Sequence, residues 1–138
     1  MALSYRFLSQ RRGIAFTVSG RLTRTEFNSV YTSVITPTFG NEPFFYIFFE
    51  FGDDVSHVDI TTDELRAVAA RVVETAQNKS VRRVSAIYAK NDQPFARSME
   101  WRDFIGAVVE VDVFRERSEA LKWLRKRVAE KFGIHVEL

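Results

Sequence analysis

Asp53, Asp54, His57 and Asp59 bring three carboxylates and one imidazole into a single short stretch of this chain. Oxygen donors of that kind suit a hard cation, and an imidazole adds affinity for a transition metal. The spacing matches no recurrent ligand pattern, so a solvated acidic loop is expected, with no metal and no cofactor. Glu50 stands inside an aromatic run. Buried there, its carboxyl would have a raised pKa and the makings of a general base. The plainer expectation is a strand end beside water. His135 has no partner near it in the sequence. No Ser-His-Asp order, glycine-rich phosphate loop or His-Glu-x-x-His motif occurs. Cysteine is absent, which removes disulfides, thiolate metal sites and cysteine nucleophiles. An enzyme is the least supported class, and no catalytic residue is assigned.

Thr61 and Thr62 carry the hydroxyls nearest that loop. Thr61 and Glu64 form a capping-box pattern, which makes Thr61 a helix N-cap. A phosphate on either hydroxyl would meet the positive end of the helix dipole, but Asp59, Asp63 and Glu64 would repel it. Trp101, between Glu100 and Arg102, is expected off the apolar face of its helix, where a tryptophan marks an interface. With Phe45, Phe49 and Phe104 it is a candidate lining for a pocket or a dimer contact. Trp123 is expected partly in the core. Arg115, Arg117, Lys122, Arg125, Lys126, Arg127 and Lys131 give the C-terminal helix a basic character, interleaved with Glu116, Glu119 and Glu130. A solvated face with helical ion pairs is expected. The functional alternative is an acidic partner or a membrane surface. Nucleic acid is not expected, because no stacking aromatics stand beside the basic residues.

The elements that must position these groups follow from periodicity. Tyr5–Ser9 and Ile14–Val18 read as a hairpin turned at Arg11, Arg12 and Gly13, with Ile14, Phe16 and Val18 on one face. Thr23 and Glu26 open a first helix by a capping box, stapled by Leu22 and Phe27. Phe27, Val30, Tyr31 and Val34 are its apolar side, and Pro37 and Gly40 close it. Residues 43–51, apolar almost without alternation, suit a central strand covered on both faces. A loop spans Gly52–Ile60. The second helix starts at Thr61, with Ile60 and Leu65 as staple, buries Leu65, Val68, Ala69, Val72, Val73 and Ala76, and ends at Asn78, Lys79 and Ser80. Val84–Tyr88 is a strand. Pro94 suits the early turns of a third helix with Phe95, Met99, Arg102 and Ile105 on one side. Val109–Phe114 is the last strand, with Glu110 and Asp112 facing out to water. A final helix runs from about Arg117 to Phe132 and is stopped by Gly133. The order is ββαβαβαβα, an α/β class with a single mainly parallel five-stranded sheet, an N-terminal antiparallel hairpin and four helices.

Bulk properties agree with one domain over residues 1–138. The composition is 46% hydrophobic and 28% charged with a formal net charge of +2, which excludes disorder and a strongly basic field. The N-terminus lacks the apolar core of a signal peptide, and no apolar run is long enough to span a bilayer. A cytoplasmic setting is expected. Thirteen phenylalanines are a high share for 138 residues and supply either core or pocket.

Val113-Phe114 followed by Glu119-Ala-Leu-Lys-Trp-Leu124 resembles the closing strand and Ala-Leu-x-Trp-Leu helix of the SpoIIAA-like family, which belongs with the STAS domains. The resemblance covers nearly the whole chain as an element order. It implies a small sheet with helices around it, no enzyme activity, and a role in regulation or ligand binding. In the anti-sigma-factor antagonist branch, a serine or threonine at the loop before a helix is phosphorylated. Residues 58–65 stand at that place here. Asp59 resembles the branch's aspartate and Thr61 or Thr62 its acceptor, although the branch's Asp-Ser-Ser/Thr-Gly core is absent. The resemblance makes Ser56, His57, Asp59, Thr61 and Thr62 a candidate regulatory loop. Two functions follow as expectations. One is a non-enzymatic regulatory module acting through a protein partner or as a homodimer. The other is a carrier or sensor of an apolar small molecule or lipid.

Overall fold

The computed structural model describes residues 2–35, 46–79 and 83–138, without the side chains of residues 78 and 79. The described strands are β1 (Leu3–Leu8), β2 (Gly13–Val18), β3 (Tyr46–Phe51), β4 (Val84–Tyr88) and β5 (Glu110–Phe114). The helices are α1 (Arg24–Ile35), α2 (Thr62–Lys79), α3 (Asp92–Ile105) and α4 (Arg117–Phe132). One sheet takes the order β1-β2-β3-β4-β5, with β1 antiparallel to β2 and every other pair parallel. This is the α/β architecture that periodicity predicts.

The strand order decides where the helices go. Each parallel crossover steps one strand over in the same direction, so crossovers of one hand lay their helices on one face. Phe27 of α1, Leu65 of α2 and Trp101 of α3 share a core with Phe16, Phe49 and Ile87 of the sheet. α4 follows the last strand and folds back over the other face. There Ala120, Leu121, Leu124 and Val128 pack on Phe48, Val84 and Ala86.

β3 lies at the centre, and its aromatic run is divided by the strand's period of two. Ile47, Phe49 and Phe51 join the three-helix side, while Tyr46 and Phe48 join the α4 side. The ring of Tyr46 lies over Gly13. A Cβ on Gly13 would stand 2.2 Å from the ring, so glycine is required here by close approach and not by its dihedrals. The hairpin turn itself falls earlier than the sequence suggests. Ser9, Gln10 and Arg11 take left-handed backbone, with φ of 50°, 54° and 69°, and Gly13 is already strand. No glycine marks this turn, which is why the pattern misplaces it.

The two capping boxes differ. At α2 the box is reciprocal: the Glu64 amide donates to Thr61 Oγ1 at 3.2 Å and the Thr61 amide to Glu64 Oε1 at 3.0 Å. At α1 only the forward half forms, from the Glu26 amide to Thr23 Oγ1. The Glu26 carboxylate instead accepts the amides of Ala2 and Leu3, tying the helix to the start of β1.

Two expectations need correction. The buried side of α3 is Pro94, Ser98, Trp101 and Ile105; of the expected Phe95, Met99, Arg102 and Ile105 face only Ile105 is on it, and the other three lie one residue round. Trp101 is therefore core, 8% exposed. Burying it supplies more apolar area than burying the arginine, so the helix turns accordingly. In β5, Glu110 and Asp112 are half-buried and held by Arg127 and Arg102, not simply turned to water.

Candidate functional site

α1, α2, α3 and the loop between β3 and α2 line a half-open cavity against the sheet. Its floor is Ile47, Phe49, Phe51 and Ile87. Phe27 and Tyr31 wall it from α1, Ser98 and Trp101 from α3, and Val58, Ile60 and Leu65 from the loop and α2. The rings interlock. Trp101 meets Phe27 and Tyr31 edge-on, each at 5.6 Å between centroids, and Phe49 lies 5.5 Å from Phe16 and 6.4 Å from Phe27. Between the rings a void remains. Its volume is about 50 Å³. A single water needs roughly 10–15 Å³ on that measure, so about three to five small groups fit.

The roof of this chamber is the Gly52–Ile60 loop, and α3 holds it down. Gln93 binds Val58 with both ends of its amide: the Val58 amide donates to Oε1 at 2.7 Å, and Nε2 donates to the Val58 carbonyl at 2.9 Å. Asn91 donates to the carbonyls of Asp53 and Val55. Arg97 donates through Nε to the Ile60 carbonyl at 2.8 Å, and through Nη1 to Glu100 at 2.6 Å and Thr62 Oγ1 at 3.3 Å. Thr62 in turn donates to Glu100 Oε2 at 2.6 Å. Burial pushes the Glu100 carboxyl up, yet the hydrogen bonds from Thr62 and Arg97 hold it below the ordinary carboxylate range. Asn91, Gln93 and Arg97 are the residues that sequence reasoning missed. Their only advance signal is polar amide and guanidinium groups clustered in the first turns of one helix.

The candidate regulatory residues do not converge. Ser56 and His57 are exposed. Asp59 is paired with Arg21 at 2.6 Å and forms a bridge with Thr23. Thr61 is spent on capping, and Thr62 faces Arg97 and Glu100. Among the described residues no three acidic, histidine or cysteine groups gather as a metal cluster. Asp53 accepts the Tyr88 phenol at 2.6 Å, which, with burial, pushes that phenol up to about 12. Glu50 is ion-paired with Arg117 at 2.8 Å, so its carboxylate is committed to α4.

Of the four candidate ligand or interface residues, Phe49 and Trp101 meet at the chamber through Phe27. Phe104 lies elsewhere, in an open groove on the outer side of α2 and α3, with the Arg66 guanidinium 5.1 Å above its ring. Phe45, with Phe39 and Phe44, falls outside the described residues. Trp123 is half-buried against Phe114 on the α4 side. Of the basic residues near α4, Arg115 pairs with Asp92, and Arg127 with Glu110 and Glu130. Arg125 donates to the backbone oxygen of Leu138. No described helix is long and apolar enough to cross a membrane.

Comparison with known proteins finds nothing similar: no family model, curated protein or solved structure matches the chain.

Proposed function

We propose that this chain is a STAS-like sensing module that works by holding a small apolar molecule between its sheet and α1–α3, not by covalent chemistry. The observation that carries the reading is the aromatic chamber itself. A cavity walled by Phe27, Phe49 and Trp101 is lined by groups that gain little from water, and apolar voids of this kind stay dry and take up apolar guests. Size sets the ligand class. The void is about 50 Å³, whereas an engineered cavity of roughly 150 Å³ accepts benzene. A short chain or a small branched group fits with slight adjustment. A long lipid tail does not fit unless a wall moves. The SpoIIAA-like motif around Val113 and Trp123 supports the same regulatory assignment.

Trp101 makes the test direct. In a Trp123→Phe variant, Trp101 is the remaining indole. Titration with butan-1-ol should shift or quench its emission saturably, and Val58→Phe, which fills the void without adding an indole, should abolish uptake. No change with any short apolar probe, together with a clean mass for natively purified protein, overturns the proposal.

A second reading, contact with a protein partner or a second copy, rests on the β1 edge. Tyr5 there is 47% exposed, the one large apolar side chain left open among the described residues. Sedimentation of wild type and Tyr5→Ser decides it: a dimer lost on substitution supports self-association, and a monomer in both removes it.

A further inference from the structure

The polar groups around the chamber give its ligand a charge. Arg97 is the only charged residue among the described lining residues, and no carboxylate joins it. Its Nε and Nη1 are spent on Ile60, Thr62 and Glu100, which fix the plane of the guanidinium. Nη2 makes no hydrogen bond to any described residue. The side chain is 30% exposed and also lines the chamber, so the residue reaches both the chamber and water. Trp101 supplies a second donor. Its indole N–H, which can only donate, likewise makes no hydrogen bond to a described residue. The Ser98 hydroxyl is already used, donating to the Pro94 carbonyl at 2.8 Å.

We infer that the ligand is a short apolar monocarboxylate, its hydrocarbon part among Phe27, Phe49 and Trp101 and its carboxylate on Arg97 Nη2 at the rim. This rests on the chamber being a ligand site. A neutral alcohol would use the apolar walls equally well but offers the guanidinium no charged acceptor. An amine would bring a second cation beside Arg97. Glu100 does not cancel the preference. It is bound on Nη1 and to Thr62, and its role is to hold Arg97 in place while leaving Nη2 open. A planar guanidinium with one edge anchored is pre-organised for a carboxylate, so little side-chain freedom is lost on binding.

The test compares butanoate, butan-1-ol and butylamine by Trp101 fluorescence in the Trp123→Phe background. Butanoate should bind at least about tenfold more tightly than the alcohol, the scale of one charge-assisted hydrogen bond, and butylamine should bind weakest. Arg97→Gln should erase the ratio between butanoate and butan-1-ol, with cooperative thermal unfolding showing that the variant is folded. Arg97→Lys should restore part of the ratio. Equal binding of butanoate and butan-1-ol by the wild type overturns the carboxylate assignment and leaves the chamber standing. Binding of none of the three overturns both.

Discussion

The two faces of the sheet are built from the same kinds of residue and packed differently. On the α4 face, Tyr46, Phe48, Val84, Ala86, Leu124 and Val128 are all fully buried around one helix. Arginine–glutamate pairs close its margins, Arg117 with Glu50 and Arg127 with Glu110. On the other face three helices and a loop must meet over large rings, and they leave a void. A single helix settles into the groove that suits it. Three helices whose positions are fixed by successive crossovers cannot all do so at once. The sheet therefore has one face closed by a single helix and one that keeps a void beneath three.

The sharpest break in that comparison is to hollow out the filled face. Phe48→Ala should cost about 3–5 kcal/mol in urea unfolding, because the surrounding core is close-packed and cannot collapse into the space. Filling distinguishes the faces next. Ala86→Val, at a position with no exposure in the α4-side core, should cost about 1–3 kcal/mol. Val58→Ile, beside the chamber, should be within about 0.5 kcal/mol of wild type, since the added methyl has somewhere to go. Equal costs at the two sites would mean that the chamber is not empty in solution.

The helix starts give a smaller contrast. Thr61→Ala removes the hydroxyl that accepts the Glu64 amide, leaving one half of a reciprocal box, and should cost about 1 kcal/mol by thermal unfolding. Thr23→Ala should cost less, because Glu26 is anchored on Ala2 and Leu3 instead of on its own cap.

Alkaline titration is the subtlest probe, and it samples both faces. Burial pushes the Tyr31 phenol in the chamber up to about 12, with Arg83 opposing. On the α4 side Tyr88 is also pushed up to about 12, there chiefly by its bond to Asp53. The ordinary phenol value is 10.0, so the folded chain holds more protons than the unfolded one between pH 10 and about 12. Stability from both tyrosines is complete below that window and falls as pH rises through it. Tyr31→Phe and Tyr88→Phe should each flatten the decline, measured as the midpoint of urea unfolding against pH. A slope unchanged by Tyr88→Phe would remove the Asp53 bond from the account.

Local pattern alone determines much of this protein. Alternation in Ile14, Phe16 and Val18, the Thr61 and Glu64 box, and the Ala120, Leu124 and Val128 stripe each depend on neighbours a few residues away. Period and capping act at that range, so the element order and the face of α4 are legible from residues. Tertiary structure decided the rest. Trp101 gives no local sign of being core, because a rotation of about 100° exchanges it with Arg102, and only the rings of Phe27 and Tyr31 select between them. Gly13 reads as a turn residue until Tyr46, 33 positions later, is seen to lie on it. The clamp of Asn91, Gln93 and Arg97 on the Gly52–Ile60 loop joins groups about as far apart, through backbone carbonyls that carry no sequence signal. The void exists only where three separately positioned helices meet, and no single segment encodes it.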